Sequence, residues 1–222
     1  MNTVLEKISD AKHVEIVVQK EYLFVASALY TYVLTLHKKV SLVCKDDLLE
    51  YKFDFLPWFH KIKKTDTPAA DLSINLELSA LDLFELFKSS KIHINKKMAL
   101  ALYGAIVYET NGFKKNISDG TIFAVCSELI DLGADHDLAF KSIQNTSSLS
   151  ALRLKSILLQ KMVLLNNVKA ALFEIDEKDL KLSGATIEMA KELILEAFKL
   201  PYVEVVVLIC SSEVIKIINK DV

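Results

Sequence analysis

At 222 residues, 52% hydrophobic and 25% charged, the chain can hold one large domain or two small ones, and its composition is that of an ordinary globular protein. The net charge of -2 leaves no basic footprint. Arg153 is the only arginine among 27 basic residues, so bidentate reading of phosphates or bases is nearly excluded and strong duplex nucleic-acid binding is not expected. Lysine pairs such as Lys38–Lys39, Lys63–Lys64 and Lys114–Lys115 are scattered along the chain, as solvated surface usually is. Cys44, Cys126 and Cys210 are odd in number, sit in apolar surroundings and lack CxxC spacing, which points to reduced core thiols in a reducing compartment. No signal peptide is evident in Met1 to Lys12, and the apolar run Val203 to Cys210 contains Glu204 and is too short to span a bilayer. A cytoplasmic location with no membrane partner is expected.

Val14 to Val18 is a short β-rich run. It is followed by Phe24 to Leu36, in which Val25, Ala28, Leu29, Tyr32, Val33 and Leu36 recur at helical spacing. Val40 to Val43 then reads as a second strand reached after a helix, the βαβ order of a parallel sheet, so the fold class is α/β. Asp46 to Phe59 is mixed, with a break at Pro57 and Trp58, and Leu72 to Leu76 is another buried strand ending on Glu77. Leu81 to Phe87 is a short amphipathic helix, and His93, in the link after it, reads as structural rather than as a ligand.

Leu100 to Phe113, LALYGAIVYETNGF, takes an apolar helix into a polar turn carrying a carboxylate, a hydroxyl, an amide and Gly112. Two readings stand: an ordinary helix C-terminus, or a buried helix delivering Glu109, Thr110 and Asn111 to a cleft. Ligands of parallel sheets collect at the carboxyl ends of the strands, so Glu21, Glu77 and Glu109 can face one crevice. Ser118 or Asp119 can cap a helix from Thr121 to Leu132 that stops at Gly133. In the following Asp135-His136-Asp137, three consecutive residues cannot all point at one ion. Asp135 or Asp137 instead suits the cap of a helix from Leu138 to Ile143.

Ser147 or Ser148 starts a long helix to about Leu165, with Asn166 and Asn167 as its stop. Val168 to Glu174 is then a strand and Gly184 to Phe198 a helix. Val203 to Cys210 pairs with Val214 to Ile218 in a hairpin turned around Ser211 to Glu213. The expected organisation is an α/β domain over 1–146, a linker helix over 147–166 and a small α/β domain over 167–222.

Placed on these elements, Ala99 to Leu159 resembles the DHH/DHHA1 phosphoesterase family, which includes nanoRNases, nucleoside-phosphate phosphatases and RecJ-type exonucleases. ALYGAIVYETNGF is similar to the family's helix and D-T-G-x-F motif, ELIDLGAD to the following helix and turn, and SLSALRLKSILL to its linker helix. KEYLFVASALYTYVLTLHKKVSLV resembles the H-x-N-P-D-x-D motif and its small-residue helix, and ADLSINLELSALD the strand that bears the second-motif aspartate. The resemblance implies a parallel-sheet DHH-like domain followed by a DHHA1-like domain that lacks the G-G-G-H substrate loop. It also implies two Mn²⁺ or Mg²⁺ ions that polarise a phosphodiester and generate hydroxide.

The ligand positions depart from that pattern. Val17 stands at the histidine, Glu21 and Leu23 at the two first-motif aspartates, Glu77 at the second-motif aspartate, Glu109 at the aspartate of D-T-G and Asn111 at its glycine. No Asp-His-His triplet lies between Leu78 and Asn95. A metal site tolerates ligand errors of about 0.2 Å, whereas lengthening an aspartate to a glutamate moves its oxygens by about one C–C bond, roughly 1.5 Å. The expectation is therefore a catalytically degenerate DHH-type protein, with no catalytic residues and no cofactor, in which Glu21, Glu77 and Glu109 are relics. It would serve as a binding or regulatory partner, in company with a second copy or another protein, with Ser27, Thr110 and Asn111 as cleft residues. The alternatives are a divergent phosphoesterase holding one Mn²⁺ or Mg²⁺ on those three glutamates, acting on short oligonucleotides or nucleoside phosphates, and a non-catalytic nucleotide sensor.

Overall fold

The structure, a computed structural model, describes residues 2–46, 51–144 and 147–220. It is α/β and divides into two compact units, 1–146 and 147–222. The junction expected at 146–147 falls on residues 145 and 146, outside those described. Among the described residues no helix is long and apolar enough to cross a membrane.

The first unit begins with helix α1 (Asn2–Asp10), strand β1 (His13–Val18), helix α2 (Leu23–Thr35) and strand β2 (Lys39–Cys44). Short strands β3 (Ile62–Lys63) and β4 (Leu72–Asn75) follow, then helices α3 (Ala80–Ser89), α4 (Lys96–Glu109), α5 (Thr121–Asp131) and α6 (His136–Gln144). The four strands are parallel in the order β3-β2-β1-β4. From β1 the chain moves outward through β2 to β3, then crosses back to lay β4 on the other flank of β1. The winding therefore reverses between β1 and β4.

Strand alternation gives the sheet two unlike faces. Val14, Ile16, Val18, Leu42 and Cys44 join a core with α2 and α4. The opposite face is polar: Ser41 Oγ meets His13 Nε2 at 3.0 Å and accepts from Lys63 Nζ at 3.2 Å. On the same face buried Glu15 accepts from Ser73 Oγ at 3.0 Å and from the Thr67 N–H. This network ties the segment before β4 onto the sheet, so a face that parallel sheets usually cover with helices is closed by hydrogen bonds.

Every residue of α2 from Leu23 to Val33 is buried, including Ser27 and Thr31. Ser27 Oγ donates to the Pro57 carbonyl at 2.6 Å. Thr31 Oγ1 accepts from the Trp58 indole at 3.1 Å, so the break at Pro57–Trp58 is fastened to α2. Trp58 takes a left-handed conformation, φ 70°, and Lys97 Nζ lies 4.2 Å from its ring centre, a cation–π contact. Helix α4 crosses α2 at Gly104, where a Cβ would come within 3.0 Å of Phe55 and 3.2 Å of Phe24. Side-chain oxygens begin the later helices: Ser79 on α3, Asn95 on α4, Asp119 before α5 and Asp135, bonded to Leu138 N–H at 2.9 Å, on α6.

The second unit comprises α7 (Leu149–Lys161), β5 (Val163–Leu165), β6 (Ala170–Ile175), α8 (Glu177–Ser183), α9 (Ile187–Leu193), a 3₁₀ run Ile194–Lys199, β7 (Val205–Cys210) and β8 (Glu213–Asn219). Its sheet runs β5-β6-β7-β8, with β6 and β7 parallel and both outer pairs antiparallel. Two elements differ from the sequence expectation. The long helix stops at Lys161 because Val163 to Leu165 pair with β6 as a strand, and Asn166 and Asn167, at φ 51° and 53°, make the turn between them. Gly184, at φ 68°, ends α8 rather than opening a helix, and Thr186 caps a separate α9. The expected hairpin is present, with Ser211 and Ser212 at its turn.

Candidate functional site at the strand ends

A cleft of about 400 Å³ opens at the carboxyl ends of β1, β2 and β4. Val17, Val18 and Gln19 line it from the end of β1, Lys45 and Asp46 from β2, and Asn75, Leu76 and Glu77 from β4. This is the crevice where the winding reverses, the place where open parallel sheets bind ligands.

The polar groups around it are largely engaged. The Asp46 carboxylate accepts from the Lys20 backbone N–H at 2.6 Å and lies 3.6 Å from the Cys44 thiol. Burial pushes that thiol up from its usual range. Lys45 pairs with Asp66 at 2.8 Å; both are well exposed, so the pair adds little to stability. Glu77 is exposed on the rim, and Gln19 and Asn75 present side-chain amides.

Of the positions singled out from sequence, Glu77 lines the cleft. Glu21 is exposed on a 3₁₀ turn after β1. Val17, at the histidine position, is an apolar wall residue, and Leu23, at an aspartate position, is fully buried in the core. Glu109 Oε1 accepts from the Ala80 N–H at 3.0 Å and so caps the first turn of α3 from the end of α4. Burial raises the Glu109 pKa; the Ala80 N–H opposes the shift and nearby Asp82 adds to it.

The turn after Glu109 closes the helix. Thr110, 2% exposed, donates to the Ile106 carbonyl at 2.7 Å and accepts from the Phe113 N–H at 3.0 Å. Gly112 N–H bonds the Val107 carbonyl at 2.7 Å, and Asn116 Nδ2 bonds that of Glu109 at 2.9 Å. Asn111 is exposed at φ 49°. Ser27 is 1% exposed and spent on Pro57. Neither hydroxyl proposed for the cleft reaches it.

The two-metal centre implied by the resemblance does not fit the donors present. Val17 and Leu23 offer no ligating atom, Glu109 is engaged by a backbone amide, and among the described residues no three His, Cys, Asp or Glu side chains are grouped to hold an ion. Gln19, Lys45, Asp46 and Asn75 were not read from sequence as site residues. The signal that marks them is position alone, each being within two residues of the end of a parallel strand.

Fold and cleft together are those of an open parallel sheet with a crevice at its topological switch. An exopolyphosphatase-related protein from Bacteroides fragilis shares the fold, with a TM-score of 0.74 over 93% of this chain and 78% of that one, at 15% identity. That identity speaks to fold alone. A Methanococcus jannaschii protein assigned as a family II inorganic pyrophosphatase aligns over 89% of this chain and 82% of its own at 12% identity, but its TM-score of 0.35 is too low to argue from. The sequence matches no protein-family model. No curated protein is significantly similar to it.

Proposed function

We propose that this chain is a catalytically degenerate member of the DHH phosphoesterase class that works as a binding or regulatory partner. The observation that carries the reading is the engagement of Glu109. The carboxylate standing where the resemblance expects a metal aspartate is partly buried and turned onto the N-terminus of α3. Two further facts support it: Leu23 is packed in the core, and Val17 gives the cleft an apolar wall. Replacing a ligand by an apolar side chain removes both charge and donor, which no small backbone shift restores. The fold shared with an exopolyphosphatase-related protein agrees with descent from a phosphate-handling ancestor.

The test is hydrolysis of short oligonucleotides, pAp and cyclic dinucleotides with Mn²⁺ or Mg²⁺. The degenerate protein gives no turnover above a metal blank. Turnover at an ordinary enzymatic rate, lost in Glu109→Ala, overturns the reading and favours the divergent phosphoesterase.

A second, non-catalytic reading is favoured by the open cleft itself, whose amides Gln19 and Asn75 could hydrogen-bond a nucleotide without a metal. A nucleotide that raises Tm in wild type but not in Asn75→Ala would select it.

A further inference from the structure

A cavity of about 540 Å³ lies within the second unit, in the size range of small-molecule sites. It opens at the carboxyl ends of β6 and β7, the parallel pair of that sheet, whose last paired residues are Ile175 and Cys210. Val163 and Leu172, partners across β5 and β6, give it an apolar side. Lys161 lines it from the end of α7, and Glu174 and Asp176 from the end of β6. Most of that charge is already committed. Asp179, 9% exposed, accepts from Lys161 Nζ at 2.6 Å and from the Asp176 N–H at 2.9 Å. Asp176 in turn accepts from the Lys178 and Asp179 N–H groups at 2.8 and 2.9 Å. Lys161 is so held at the cavity with one of its three donors spent. Glu174 is exposed and, among the described residues, has no hydrogen bond or ion pair. Its charge, after the Asp179 hydrogen bond and the charges of Asp179 and Asp176, raises the Lys161 pKa, so it lies close to the ammonium without pairing.

We propose that this cavity binds a small zwitterion, an α-amino acid with an apolar side chain, whose carboxylate meets Lys161, whose ammonium meets Glu174 and whose side chain lies against Val163 and Leu172. The charges of the site select a ligand that carries both signs. A simple cation on Glu174 would face Lys161 as a like charge, and a simple anion on Lys161 would face Glu174 and Asp176. A zwitterion satisfies both, and each contact is a charge-assisted hydrogen bond. Ser211 and Ser212, held at φ 50° and 71° in the turn after β7, also line the cavity and add hydroxyls that can donate or accept. In the first unit's cleft the polar groups are largely engaged; here a carboxylate and two hydroxyls are uncommitted among the described residues. The inference rests on the second unit by itself and does not depend on whether the first unit's cleft retains chemistry.

Isothermal titration of the full chain with L-leucine tests it, with isopentylamine and isocaproate as the analogues that lack its carboxylate and its ammonium. Leucine should bind saturably, and each analogue at least about tenfold more weakly, because one charge-assisted contact is lost. Glu174→Gln should weaken leucine at least about tenfold while leaving isocaproate no weaker, a split that a merely structural loss would not produce. Glu188→Gln, at an exposed carboxylate on α9 that does not line the cavity, should leave both unchanged. Circular dichroism checks folding, and the analogue series on the wild-type chain decides the matter if Glu174→Gln is unfolded. No heat with millimolar leucine overturns the proposal. So does an analogue that binds as tightly as leucine, or a folded Glu174→Gln variant that binds leucine unchanged.

Discussion

Glu109 is a partly buried carboxylate that caps a neighbouring helix. At the end of α4 it can reach the first free amide of α3, and the bond to Ala80 satisfies a helix-end donor that Ser79, occupied with Asp82, does not. Burial holds the Glu109 pKa above the ordinary carboxylate range. The raised folded-state value means that folding favours the protonated acid. Its contribution is full below the unfolded-state pKa and is lost as pH rises through the folded one. Glu109→Gln keeps an acceptor for Ala80 and removes the titration. Relative to wild type, its Tm should improve as pH rises above the ordinary glutamate value of about 4.3. A difference constant with pH would show that ionising Glu109 costs the fold nothing. At this scale the sequence was only partly legible. Glutamates at strand and helix ends stand out, but one donor distance decides between ligand and cap. Asp46 and Asn75 are marked only by their position at strand ends.

At the scale of elements, α2 and α4 form the centre of the first unit, and Gly104 sets how closely they approach. A Cβ there already reaches Phe55 and Phe24 at the limit of contact. Gly104→Val adds two methyls beyond it, and overpacking should cost about 1–3 kcal/mol. Urea unfolding would show this as a lower midpoint at unchanged slope; an unaltered midpoint would mean that the two rings move aside freely. The elements read correctly from sequence are those with strong local signals: α2 and α4 by periodicity, α5 by its flanking Asp119 and Gly133, and the last hairpin by β-branched runs around two serines. Those misread were settled by distant partners or by backbone conformation. Val163 to Leu165 continue a helical pattern until pairing with β6 makes them a strand. Gly184 looks like a helix start and is a left-handed stop. The polar face of the first sheet was equally hidden, because Glu15 and Ser41 gain their meaning only when β1 and β2 lie side by side.

For the whole molecule, each unit has its own core and its own parallel pair of strands, and among the described residues each sheet leaves one face without helices. The first unit closes that face with partly buried hydrogen bonds, whereas on the second Val163, Val214 and Ile217 are exposed. The proposed function requires the cleft at the strand ends to work without a metal, and among the described residues no three His, Cys, Asp or Glu side chains are grouped to hold an ion. Isothermal titration with Mn²⁺ measures that claim directly, since it needs no knowledge of the ligand. The account predicts no heat of binding up to millimolar metal, in wild type and in Glu77→Ala alike. Micromolar binding of one or two ions, abolished by Glu77→Ala or Glu109→Ala, would contradict it.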